Sequence, residues 1–217
     1  MADKDSRSGG KRYDSPQINT FVDRVHAAHD AALERAFAAP AKNEMPEIQV
    51  GSSEGKLLTV LTRMLAAQKV VEIGTLAGYS ALRIARGLAA GGKLWTLELD
   101  QRHAEVARGN IAAAGFSDRI EVLVGPALES LAALVPHAPF DAVFLDADKS
   151  GYLDYARWAH AQLRPGGLLI ADNAYLFGQL TADTPNSARM REFHEFVGRS
   201  FDSVCIPTPD GLVLGLR

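Results

Sequence analysis

The stretch KVVEIGTLAGYSALRIARGL, residues 69–88, decides the predicted fold because it joins two different periodic patterns. Residues 69–75 form a short apolar run, which is typical of a buried strand. Residues 79–88 repeat apolar side chains at helical spacing, and Gly74 and Gly78 lie in the turn between the two patterns. The stretch therefore predicts the first strand, turn and helix of an α/β sheet.

The same alternation continues along the chain. Helical patterns separate four further short apolar runs, at residues 93–99, 119–125, 140–146 and 167–173. Strands that alternate with helices indicate βαβ units and a largely parallel sheet. Because the runs are almost continuously apolar, we expect helices to cover both faces of the sheet.

The C-terminal end departs from this pattern. After a helical pattern at 188–200, two strand patterns at 201–208 and 211–217 are separated by little more than Pro209 and Asp210. Strands joined so tightly must be antiparallel. We therefore predict a doubly wound, Rossmann-like α/β fold, whose seven-stranded sheet is mostly parallel with an antiparallel C-terminal strand.

The N-terminal third of the chain predicts a leader and three helices. Residues 1–14 are small, charged and glycine-containing, and we expect them to be a disordered leader. A first helix should begin at Ser15 and Pro16, a second pattern stops at Pro40, and a third covers 52–67. We predict one domain over 15–217, with N-terminal helices at 15–67 and the α/β core at 68–217.

Composition excludes several classes of protein. Apolar residues make up 47% of the 217 residues, enough for a sizeable core, and the net charge of −3 offers no basic field for nucleic acid or anionic membranes. The single cysteine, Cys205, excludes an internal disulfide and fits a reducing compartment. No apolar run approaches the length of a membrane span, and no secretory signal is evident, so we expect a cytoplasmic location.

The turn after the first strand suits a ligand without phosphate groups. Its spacing is E-x-G-x-x-x-G, from Glu72 to Gly78, whereas dinucleotide-binding turns read G-x-G-x-x-G. Glu98 ends the second strand one βαβ unit after Glu72, so its carboxylate should lie beside the turn and could accept from a ribose diol. The alternatives are a turn shaped only by packing and an acidic strand end that merely faces solvent.

A group of oxygen ligands follows two later strands. Asp146 ends the fourth strand, and Asp172 and Asn173 end the fifth. If these strands are neighbours, their ends lie about 4.8 Å apart. Two carboxylates and an amide oxygen would suit magnesium, with manganese or calcium as alternatives. The competing interpretation is a helix cap at Asp146 and a turn at Asp172.

Lys149 is the candidate general base. It follows Asp146 by three residues, and a lysine beside a divalent cation is disfavoured as an ammonium ion. The alternative is an ordinary solvated loop lysine. Asp148 is interpreted as a surface or supporting residue, outside the ligand set.

Five motifs resemble one family. VVEIGTLAGYSALRIARGL, LWTLELD, VGPALESL, FDAVFLDADKSGY and LRPGGLLIADN occur in the order seen in class I S-adenosylmethionine-dependent O-methyltransferases, within the cation-dependent caffeoyl-CoA and catechol O-methyltransferase branch. The resemblance covers roughly residues 45–217. It implies S-adenosylmethionine as cofactor, the same three metal ligands, a catalytic pair of Lys149 and Asp146, and a homodimer. The cofactor contacts that it implies are Val50, Glu72, Gly74, Ser80, Glu98, Ala127 and Asp146, with Glu98 on the ribose and Ala127 by the adenine.

The acceptor is less well defined by the sequence. We expect a small aromatic diol, such as a hydroxycinnamate, a flavonoid or a natural-product intermediate, with Met45, Tyr175 and Asp210 as candidate contacts. Leu176 and Phe177 would extend an apolar wall. The alternatives are a tRNA hydroxyuridine methyltransferase of the same branch, a dinucleotide-binding Rossmann-like protein and a non-catalytic binding module.

Overall fold

A seven-stranded mixed sheet organises the computed structural model, which describes residues 15–217. The strands are β1 (Lys69–Ile73), β2 (Lys93–Glu98), β3 (Ile120–Val124), β4 (Phe140–Leu145), β5 (Leu163–Ala171), β6 (Asp202–Ile206) and β7 (Leu212–Leu216). Their order is β3-β2-β1-β4-β5-β7-β6, parallel from β3 to β5 and antiparallel where β7 joins β5 and β6. The predicted fold is confirmed. The predicted leader, residues 1–14, lies outside the described residues, and the one-domain assignment stays a prediction.

Helices lie between the strands and before the first of them. Their bounds are α1 (Pro16–His26), α2 (Ala31–Phe37), α3 (Ala39–Lys42), α4 (Ser52–Met64), α5 (Tyr79–Ala85), α6 (Gln101–Ala113), α7 (Ala127–Leu134), α8 (Tyr152–Gln162) and α9 (Pro185–Ser200). Two buried clusters cover the two faces of the sheet, one around Phe140, Tyr152 and Phe193 and the other around Tyr79 and Phe144. Coverage of both faces explains why the strands read as apolar throughout.

Several predicted boundaries move by a few residues. Ser15 caps α1 as expected, because its side chain accepts from the Ile18 amide. The prediction that the second helix stops at Pro40 was wrong: α2 already ends at Phe37, and Pro40 occupies the first turn of α3. Proline is tolerated there because first-turn amides have no partner within the helix.

Gly74 lets the ends of β1 and β4 approach each other closely. Its φ is +100°, and a Cβ atom at this position would lie 2.7 Å from the carbonyl carbon of Asp146. Any side chain would therefore push apart the two strand ends. Ile73 pairs with Leu145, and Leu145 pairs with Ala171, so the polar residues that follow these three strands emerge side by side.

The first helix presents an apolar surface to solvent. Ile18, Phe21, Val22 and Val25 are 38–56% exposed, and no residue of α1 is buried. Within residues 15–217, we find no helix with the length and apolar character needed to cross a membrane.

Candidate active site

A cavity of about 660 Å³ opens at the carboxyl ends of β1, β2 and β4. Ligands of doubly wound sheets bind at this edge. Its walls come from the segment before α4, from the loops that follow the five strands β1 to β5, and from the first turns of α5 and α6. They include Val50, Gly74, Ser80, Glu98, Leu99, His103, Gly125, Asp146, Lys149, Asn173 and Phe177. Most of the predicted cofactor and metal residues therefore border one space. Ala127, the predicted adenine contact, is not among these walls, whereas Gly125, two residues earlier, is.

Glu98 holds the turn after β1 in place. One of its carboxylate oxygens accepts from the amides of Thr75 (3.2 Å) and Leu76 (2.8 Å), and the other accepts from the Asp100 amide (3.0 Å). A carboxylate has about four acceptor positions, so Glu98 can still accept from a ligand hydroxyl. His103 Nδ1 lies 3.7 Å from Glu98 Oε1 and also borders the cavity.

Glu72 is a buried acid with an unused acceptor. Its Oε2 accepts from the Thr96 hydroxyl at 2.6 Å, whereas its Oε1 has no hydrogen-bond partner. Burial raises the pKa of Glu72 to about 8, although the hydroxyls of Ser80 and Thr96 act in the opposite direction. A cationic donor on a bound ligand would supply the missing partner and favour the ionised carboxylate.

Because Glu72 is buried, we expect the free energy of unfolding of the ligand-free protein to depend on pH. Because the pKa of Glu72 in the folded chain, about 8, exceeds the ordinary 4.5, the folded chain keeps a proton that the unfolded chain has released. The free energy of unfolding therefore falls as pH rises between these values. Glu72→Gln removes this loss of stability. The melting temperature of the variant minus that of wild type should therefore increase by at least about 4 °C between pH 5 and pH 8.5. Thermal melts across that range would show a constant difference if Glu72 were not responsible.

The predicted metal ligands follow neighbouring strands. Asp172 is buried, and burial together with the negative charge of Asp146 raises the pKa of Asp172 to about 7. Burial also raises the pKa of Asp146. Glu54, in the first turn of α4, adds a further negative potential at both aspartates. A bound cation would offset this accumulated negative charge.

The chemistry of the donors fits a hard divalent cation. Asp146 and Asp172 supply carboxylate oxygens, Asn173 supplies an amide oxygen, and such ligands suit magnesium, manganese or calcium. Within the part of the chain that the structure describes, no group of three or more His, Cys, Asp or Glu forms a metal site. The candidate set differs from such a group because its third member is an asparagine.

Lys149 lies over Asp146 in a largely buried position. Its Nζ donates to Asp146 Oδ1 at 3.3 Å and to the Tyr152 hydroxyl at 2.6 Å, and its side chain is 12% exposed. The solvated-loop alternative does not describe this environment. Burial raises the pKa of Tyr152 well above its ordinary value, which keeps the phenol neutral.

A second cavity of about 630 Å³ adjoins Lys149. Its walls combine the loop after β4 with the segment before α9, and they are formed by Asp148, Lys149, Ser150, Leu176, Phe177, Gln179, Thr184, Pro185 and Asn186. Asp148, Lys149 and Phe177 border both cavities, and Phe177 is 68% exposed. A flat molecule could therefore extend from the first cavity into the second.

The predicted acceptor contacts lie outside both sets of cavity walls. Met45 is buried against Ala39 and Ala77. The Asp210 carboxylate accepts from the Phe177 amide at 3.1 Å, and the Asp210 carbonyl accepts from the Tyr175 amide at 2.8 Å. Asp210 therefore supports the loop that contains Tyr175 and Phe177. Leu176 and Phe177 from the predicted apolar wall do border the second cavity.

Sequence reasoning missed three residues near the site. His103 lies in the first turn of the helix after Glu98, and that position could have been noticed from the βαβ pattern. Glu54 is part of a capping arrangement at α4, where its side chain accepts from the Gly51 amide at 2.9 Å. Tyr152 ends the motif FDAVFLDADKSGY, but the motif assigned no role to it.

Comparisons with known proteins agree on one family. The model of the family described as O-methyltransferase matches residues 24–217. A catechol O-methyltransferase of Mycobacterium tuberculosis is 41% identical over 172 residues, which cover 79% of this chain and 78% of that protein. A caffeoyl-CoA O-methyltransferase of Nicotiana tabacum is 31% identical over 192 residues, covering 82% and 80%.

A solved structure shows the same fold with a cofactor product bound. It is an O-methyltransferase from Bacillus cereus in complex with SAH, with a TM-score of 0.86, 34% sequence identity and coverage of 92% of this chain and 96% of that chain.

Proposed function

The chain belongs to the O-methyltransferase family and is an S-adenosylmethionine-dependent O-methyltransferase of the catechol and caffeoyl-CoA type. From that premise, we propose that it methylates a small catechol with the help of a divalent cation. The observation that carries the proposal is the position of Lys149. Its amine lies over Asp146 and borders both cavities. Cofactor and acceptor would therefore meet at one basic group.

Two features support a small aromatic acceptor. The second cavity has one strongly exposed aromatic side chain, Phe177, against which a flat ring could pack. The Mycobacterium tuberculosis relative, at 41% identity, is a catechol O-methyltransferase. A hydroxycinnamate, a flavonoid or a related natural-product intermediate has the required vicinal hydroxyls.

The proposed cation site consists of Asp146, Asp172 and Asn173. When bound there, magnesium or a similar cation would act as a Lewis acid and lower the pKa of the acceptor hydroxyl. Three protein ligands leave room in an octahedral shell for both oxygens of a vicinal diol. The raised pKa values of the two aspartates support the proposal, because a nearby positive charge would relieve their unfavourable ionisation.

Lys149 would perform the proton transfer. Its amine would accept the proton of the acceptor hydroxyl, and the resulting phenolate oxygen would attack the methyl carbon in line with the carbon–sulfur bond. A new oxygen–carbon bond forms, and the electron pair of the broken bond stays on sulfur. The remaining residues would act by positioning: Glu98 fixes the turn after β1, which would hold the cofactor, and the cavity walls would bring both reactants together.

Methyl transfer in the presence and absence of metal tests this proposal. We expect the purified protein to methylate members of a catechol panel with S-adenosylmethionine and magnesium, to lose that activity in EDTA and to recover it when magnesium is restored. Transfer unchanged by EDTA would contradict the cation site while leaving the methyltransferase assignment intact. Cofactor binding without transfer to any catechol would favour the tRNA acceptor or the non-catalytic alternative.

The proposal extends to a homodimer formed through α1. The apolar face of α1, with Phe21 at 56% exposure, is the kind of surface that a second copy would cover. We expect Phe21→Glu to shift a dimer toward monomer in sedimentation experiments at micromolar concentration, because it places a charge in the buried contact. Asn19→Glu adds the same charge on the polar side of the helix and should leave the dimer intact. A monomeric wild-type protein would refute this part of the proposal.

A further inference from the structure

Tyr152 occupies the junction between the candidate base and the ends of two strands. Its side chain is completely buried at the start of α8. The phenolic oxygen accepts from Lys149 Nζ at 2.6 Å and lies 3.0 Å from the Asp172 carbonyl and 3.2 Å from the Leu145 carbonyl. One hydroxyl group therefore joins the lysine to both β4 and β5.

Counting hydrogens determines the direction of these bonds. A phenol has one hydrogen, and carbonyl oxygens can only accept, so that hydrogen points toward the carbonyls of Asp172 and Leu145. The lone pairs of the oxygen then face Lys149, which must donate. The Leu145 carbonyl also accepts from the Asp172 amide at 3.0 Å, and the Asp172 carbonyl is the nearer acceptor for the phenol.

Two acceptors hold Lys149 Nζ in the structure: the Tyr152 hydroxyl at 2.6 Å and Asp146 Oδ1 at 3.3 Å. The shorter of the two contacts is the one to Tyr152. Lys149 borders both cavities, so these contacts fix a side chain that lines the space where the acceptor would lie.

We propose that Tyr152 is a positioning residue for the general base, because its hydroxyl accepts a hydrogen from Lys149 and thereby holds the amine beside the two cavities, where the acceptor hydroxyl would lie. This inference rests on the proposed function of Lys149. Asp146 is also a candidate cation ligand, so its oxygen can be drawn away from the amine. Tyr152 is held by backbone carbonyls and keeps its place in either case.

The variant Tyr152→Phe tests this role, because it keeps the ring and removes only the acceptor oxygen. For catechol we expect kcat to fall about 10- to 100-fold, with the KM values for both substrates within about twofold of wild type. Tyr155→Phe is the matched control: it lies one turn further along α8, and its hydroxyl donates to Asp148 at 2.6 Å. This control should stay within about twofold of wild-type kcat.

A more acidic acceptor separates positioning of the base from general damage to the site. A nitro-substituted catechol is largely ionised near neutral pH and needs no base, so Tyr152→Phe should reduce its turnover less than about threefold. A purely structural role of Tyr152 at the strand ends would slow both acceptors equally. Equal losses would therefore overturn the proposal.

A double-mutant cycle supplies an independent check. If Tyr152 acts through Lys149, adding Tyr152→Phe to Lys149→Met should cause no further loss of kcat. Multiplicative losses would show that the two residues act separately, and they would contradict the inference.

Crystal structures with SAH and magnesium give a readout that does not depend on turnover. In Tyr152→Phe we expect the Lys149 amine to leave its position over Asp146, while Leu145 and Asp172 stay in register. An unmoved amine would overturn the inference. A wild-type protein that methylates no catechol would instead refute the proposed acceptor, and these structures would still decide whether Tyr152 holds Lys149.

Discussion

Lys149→Met should lower kcat for catechol by about 10²- to 10⁴-fold while leaving the affinity for S-adenosylmethionine within about twofold. Methionine has a similar length and no basic nitrogen, so it fills the same largely buried site without accepting a proton. The loss should appear in kcat and in kcat/KM alike, because the proposed role of the amine is to accept the hydroxyl proton during the reaction. Steady-state kinetics and calorimetric titration of the cofactor measure the two quantities.

Two further variants show whether proton transfer is the cause. Lys149→Arg keeps the positive charge, but a guanidinium group does not deprotonate in proteins, so its kcat should also fall by at least about 100-fold. Near-normal kcat in Lys149→Arg would mean that the site needs a fixed charge, and it would refute the general base. Lys93→Met is the control, because Lys93 on β2 pairs with Glu121 on β3, away from the cavity. This variant should keep the kcat of wild type.

Gly74→Ala should be the most damaging single-methyl change in the turn after β1. The new Cβ would lie 2.7 Å from the Asp146 carbonyl carbon, and both partners are backbone, so neither can rotate away. The φ of +100° adds strain for any residue with a side chain. We expect a loss of at least about 3 kcal/mol in the free energy of unfolding, which corresponds to about 6–12 °C in melting temperature.

The same substitution should also impair the site itself. Relief of the collision requires β1 and β4 to separate, and that movement displaces Asp146 relative to the turn after β1. We expect measurable S-adenosylmethionine binding to be lost even at temperatures where the variant remains folded. Calorimetric titration below the melting transition tests this, and undiminished affinity would show that the strand ends tolerate separation.

Gly109→Ala is the matched control for Gly74→Ala. Gly109 lies on the exposed side of α6, and nothing lies within 4 Å of the position that its Cβ would take. Alanine is favoured over glycine in a helix interior by up to about 1 kcal/mol, so this variant should be slightly more stable than wild type. A fall in stability for both variants would indicate that the glycine-to-alanine change acts through something other than local collision.

Much of the fold followed from apolar periodicity. A strand buried on both faces reads as a continuous apolar run, so β1, β2 and β4 could be located to within one or two residues. The side-by-side ends of β4 and β5 followed from the length of one βαβ unit. Local details were less predictable: Pro40 entered a helical turn because its ring is compatible with that position as well as with a helix end.

The interactions around the candidate base could not be predicted from the sequence. Tyr152 contacts backbone carbonyls 7 and 20 residues away, and every residue has a carbonyl, so no pattern marks these two as partners. Glu98 presents a similar case: the ribose interpretation rested on its side chain, whereas the structure adds bonds to the amides of Thr75 and Leu76. Such backbone contacts emerge only when the chain is folded.

The two cavities differ in what surrounds them, and this difference bears on evolvability. The first cavity, where we propose that the cofactor binds, is framed by the ends of central strands, and a substitution there disturbs the core. The walls of the neighbouring cavity include the exposed residues Phe177, Gln179 and Asn186, and exposed substitutions away from helix caps usually change stability by no more than about 0.5 kcal/mol. Mutations can therefore accumulate at these positions with little change in stability. Descendants of this chain could then diverge in the range of acceptors they use while their cofactor chemistry stays fixed.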